Sequence, residues 1–126
     1  MKIATIIVQV LVGFTFVFFG SNAFLHFLPA VLPPGPGGEF LKLLFESKYV
    51  YFVSAVQVIG GALVLSNRFV SLGLALLGPV LFNILLFHGL LSHPGWQPGV
   101  VMAILWVFLM FRYSKNFAGI FEAKML

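Results

Sequence analysis

From Ile3 to Gly38 no residue carries a formal charge. A run of that length leaves few options, because about 20 consecutive apolar residues in a helix already span the hydrocarbon core of a bilayer. The run breaks at Pro29, which is followed by Pro33, Pro34, Gly35, Pro36, Gly37 and Gly38. The reading is a first helix over about 3–28, too long for the 7–15-residue core of a secretory signal and so retained as a span. Residues 29–38 are expected to be non-helical, since proline lacks the amide N–H and glycine is too flexible.

Three further apolar stretches follow, giving expected helices over about 49–67, 69–91 and 98–113. Between the first two spans, Glu39, Lys42 and Glu46 recur at i, i+3 and i+7, opposite Phe40, Leu41, Leu44 and Phe45. That pattern predicts a short helix, about 39–47, lying in a membrane interface. Asn67-Arg68 and His93 to Pro98 are expected turns. The fold class is therefore an all-α, four-transmembrane-helix bundle, one domain over 1–126, with an interfacial helix in its first outer loop. Composition agrees: 61% of residues are hydrophobic and 8% charged, where a soluble domain carries about a quarter charged residues.

Charge placement sets the expected orientation. Lys2, Arg68, Arg112, Lys115 and Lys124, with Glu122, fall on one side; Lys42 and Lys48, balanced by Glu39 and Glu46, fall on the other. The positive-inside rule assigns the first set, and both termini, to the cytoplasm. The cations are scattered singly rather than gathered on a solvated face, which excludes a nucleic-acid partner. With no cysteine, thiol–disulfide chemistry, thiolate metal sites and c-type haem are excluded as well.

Polar groups inside hydrocarbon need partners and mark sites of interest. Thr15, Phe18, Asn22 and His26 form one stripe of the first helix; Ser54, Gln57 and Gly61 share a face of the second; Asn83 and His88 follow Gly78-Pro79 on the third. Asn22, His26, Gln57, Asn83 and His88 fall at similar depth in the outer half and are the candidate ligand-binding residues. The competing reading is that they only join helices by hydrogen bonds, at about 0.6 kcal/mol each. Asn83 and His88, five apart, point about 140° away from each other on an ideal helix. Either local winding changes near Pro79 or only one of them faces a pocket. Gly20 to His26 also echoes Phe82 to His88, as parallel repeats would.

The segment Phe19-Gly-Ser-Asn-Ala-Phe-Leu-His-Phe-Leu-Pro29 with its Pro-rich loop resembles the first helix and loop of the DoxX family. Gln57-Val-Ile-Gly-Gly-Ala-Leu-Val-Leu65, Asn67-Arg68 and Leu74-Ala-Leu-Leu-Gly-Pro79 resemble that family's second and third helices, and the likeness ends at His88. It implies a small four-helix protein of the bacterial inner membrane, with membrane oxidoreductase subunits, among them quinone-reducing ones, as partners. Gln57 stands where the family pattern often has glutamate, and an amide cannot relay a proton.

Three functions compete. One is an accessory subunit that binds a quinone or other lipid-like molecule in the outer-half pocket, phenylalanines lining its apolar body. Another is a subunit carrying b-type haem between His26 and His88. A third is a structural assembly subunit with no ligand. A proton-coupled exporter needs a membrane-embedded acid, and all three acids of this chain lie in loops or tails.

Overall fold

A computed structural model describes residues 2–25, 32–93 and 95–121. Helix α1 covers Lys2–Leu25, α2 Pro36–Glu46, α3 Tyr49–Leu65, α4 Val70–Leu86 and α5 Trp96–Arg112. A π-turn, Phe87–Leu91, continues α4, and a 3₁₀ segment, Ser114–Phe121, follows α5. The all-helical expectation holds among the described residues. Residues 26–28, given to the first helix by hydropathy, lie outside them.

Two expectations near prolines are corrected. Residues 36–38 are helical, because Pro36 occupies the first turn, where its missing N–H would have had no partner. Gly37 and Gly38 follow in the helix because nothing larger fits: a Cβ on Gly37 would sit 2.7 Å from Ser92 Cβ, and one on Gly38 would strike the Pro33 carbonyl. Likewise α5 begins at Trp96, two residues before Pro98, within the turn whose amides lack helical partners anyway.

The α3–α4 connection shows how a two-residue turn is made. Asn67 has φ 60°, its N–H donates to Val64 O and the Arg68 N–H to Leu63 O. This is the paired closure that ends helices on a left-handed residue, for which asparagine is the usual substitute for glycine.

Helix α1 packs most extensively on α3, α3 on α4, α4 on α5, and α1 meets α5, closing a ring of four antiparallel helices. Small residues bring the backbones together: a Cβ added to Gly13 would lie 2.7 Å from Leu65, and one on Gly73 2.7 Å from the Gly60 carbonyl. Val12, Phe16, Val64, Leu74, Leu77 and Leu109 fill the centre. Helix α2 stands at 87° to α3, and its Phe40 ring rests near Phe87 of the π-turn.

The outer surface lacks the polar cover of a soluble bundle. Thr5, Gln9 and Ser54 are buried, while Ile3, Phe52 and Phe111 are about three-quarters exposed (75%, 76% and 76%). Each large apolar side chain left in water forgoes about 1.5–3 kcal/mol, so a few exposed rings rival the 5–15 kcal/mol net stability of a domain. Helices α1 and Val70–Leu91 are long and apolar enough to cross a membrane. The bent pair α2 and α3 meets the same test jointly, and α5 is a shorter apolar helix.

Antiparallel packing sorts the charges. The basic end gathers Lys2, Arg68, Arg112 and Lys115; the balanced end gathers Glu39, Lys42, Glu46 and Lys48.

Candidate functional site

Four of the five candidate residues are among those described, and they do not gather in one place. Asn22 and Gln57 are half-buried on α1 and α3. Gly20, two residues before Asn22, admits the Gln57 stem so closely that its own Cβ would lie 3.3 Å from Gln57 Cβ. Gln57 therefore belongs to the α1–α3 seam, while Asn22, two residues on from Gly20, is turned about 200° away on an ideal helix. His26, one turn beyond Asn22 in sequence and one half of the candidate haem pair, lies outside the described residues.

Asn83 and His88 bond within their own segment. The exposed Asn83 donates from Nδ2 to Pro79 O at 2.8 Å. Half-buried His88 pairs its Nδ1 with Ser92 O at 3.1 Å, and its ring meets Phe87 edge-on. Local winding does change between the two residues, but in the π-turn that starts at Phe87, beyond Pro79.

Beside Asn22 and Gln57 the α1–α3 seam opens into a cleft of about 400 Å³. Its walls are Ser21, Phe24 and Leu25 from α1 with Ala55, Val58 and Ile59 from α3. The cleft is open and almost wholly apolar. Its volume falls in the range of small-molecule sites. Neither amide lines the cleft: Asn22 and Gln57 are chain neighbours of its wall residues Ser21 and Val58.

The richest polar network lies elsewhere, at the basic end. Gln9, 5% exposed, donates from Nε2 to Asn67 Oδ1 at 3.0 Å and more distantly to Val64 O at 3.4 Å. Its Oε1 accepts from the Tyr113 hydroxyl. Arg112 donates from Nε to Thr5 Oγ1 at 3.0 Å. Trp106 Nε1 donates to Leu74 O at 2.9 Å. Every helix of the ring is thus tied to another near this end. Sequence reasoning passed over Thr5 and Gln9, although their spacing with Val12, Phe16 and Gly20 traces the buried stripe of α1. An amide deep in the longest uncharged run was the available signal.

Among the described residues no group of three or more His, Cys, Asp or Glu side chains could hold a metal ion. No protein family, curated protein or solved structure matches the chain.

Proposed function

We propose that this chain is a DoxX-like integral membrane protein of the bacterial inner membrane, with four spans and both termini cytoplasmic. It acts as an accessory subunit that binds a quinone or another lipid-like molecule. The α1–α3 cleft carries the reading: an open apolar trough beside two half-buried amides suits a ligand with a long apolar chain and a carbonyl or hydroxyl end. Asn22 and Gln57, with His26 four residues on in the chain, are the proposed hydrogen-bonding partners of that end. Asn83 and His88 serve the winding at the end of α4. The ring supports four spans: α3 and α5, each 17 residues or about 26 Å, fall only slightly short of the hydrocarbon thickness, a mismatch that local thinning of the bilayer accommodates. The concentration of cations at one end supports the orientation.

The test is mass spectrometry of small molecules that copurify with the protein. Gln57→Leu should lower retention about 5- to 150-fold, the effect of one unpaired polar group in an apolar site. Ala55→Phe, which fills the cleft, should abolish it. Retention unchanged in both folded variants would reduce the seam to helix packing. A periplasmic reporter signal from a fusion at residue 126 would reverse the orientation.

A further inference from the structure

At the opposite end from the cleft, the basic end gathers cations that form no ion pair among the described residues. Among the described residues the single ion pair is Lys42–Glu46, 3.7 Å apart, on α2; Lys2, Arg68, Arg112 and Lys115 make none. Arg112 differs from the other three. Its Nε is held by Thr5 across the α1–α5 seam, which fixes the guanidinium and leaves its two terminal nitrogens as a fork. Such a fork matches two oxygens of a phosphate. Lys2 stands one turn before Thr5 on the same face of α1.

Above Arg112 the surface is apolar. Val101, Leu105, Phe108 and Arg112 recur at spacings of four, three and four, one stripe of α5. Val101 and Ile104 beside it are exposed, while Leu105 and Phe108 are partly buried where they pack on the core with Val8. A positioned cation at the foot of a long apolar stripe has the proportions of a phospholipid.

We infer that the α1–α5 seam binds an anionic phospholipid of the leaflet at the basic end, its phosphate on Arg112 and its chains along the Val101–Phe108 stripe. Charge complementarity selects the occupant: this end offers four cations and no described acid, and a lipid with net negative charge supplies the missing partner.

The experiment is native mass spectrometry of the protein released from nanodiscs containing equal phosphatidylglycerol and phosphatidylcholine. Phosphatidylglycerol should be retained in preference. Arg112→Gln should lower its retention about fivefold, the weight of one cation near a charged surface, while Arg68→Gln at the same end should leave it unchanged. Thr5→Val keeps every charge and removes only the bond that holds the guanidinium; it should cost about threefold, one interhelical hydrogen bond. This variant carries the test if Arg112→Gln fails to fold. Equal loss in Arg68→Gln would show diffuse charge attraction and overturn the site. So would equal retention of phosphatidylcholine, or complete displacement of the lipid by millimolar inorganic phosphate.

Discussion

The two ends of the ring use polar side chains in contrasting ways. At the basic end, Gln9, Asn67, Tyr113, Thr5 and Arg112 bond from one helix to another. Toward the balanced end, Asn83 and His88 bond to backbone four residues away, and the α1–α3 seam parts into a cleft. Interhelical bonds hold relative positions; bonds within one segment hold only its winding. The basic end is therefore tied across helices, and the α1–α3 cleft opens toward the other end.

The largest test of this contrast strikes the seam both ends share. In Gly61→Val the new side chain meets the Gly13 carbonyl and the Val17 nitrogen, where a Cβ alone would be 2.9 and 3.0 Å away. Backbone cannot yield as a side chain can, so the cost should be about 3 kcal/mol, read by unfolding in mixed micelles. Gln9→Leu comes next. It strands Asn67 and Tyr113 and should cost about 2 kcal/mol; a cost below about 0.5 kcal/mol would erase the distinction between the ends. Tyr113→Phe should cost about 1 kcal/mol. Combined with Gln9→Leu it should add little, because the two residues share one bond. Asn83→Leu should fall within about 0.5 kcal/mol of the parent, since the residue is exposed and its partner is its own helix. A loss comparable to Gln9→Leu would mean that Asn83 ties helices after all.

The helical class and the split of charges were legible because both follow from the positions of ionisable residues along the chain. The turn at Asn67-Arg68 was legible for a similar local reason. The start of α2 was not. Whether Pro36 breaks a helix or opens one depends on where the helix begins, and Gly37 and Gly38 are there for Ser92 and Pro33, which hydropathy does not bring together. The candidate site was legible in part. Asn22 and Gln57 sit on facing helices, but their neighbourhood depends on Gly20 admitting the Gln57 stem. Asn83 and His88 looked like members of the same group because depth can be counted in residues, whereas a π-turn that re-aims a side chain cannot. Gln9 was overlooked because a lone amide in an apolar run gives no hint of partners 55, 58 and 104 positions away.

Those separations also order the assembly of the chain during synthesis. Gln9 emerges first, as an amide with no partner among the apolar residues around it. Val64 and Asn67 arrive when α3 ends, so the α1–α3 hairpin can close on Gln9 Nε2 while α5 is still on the ribosome. Tyr113 and Arg112 come last and complete the remaining acceptors, Gln9 Oε1 and Thr5 Oγ1. Helix α5 is thus the last element whose partners become complete in chain order, and the bonds at its end close the ring.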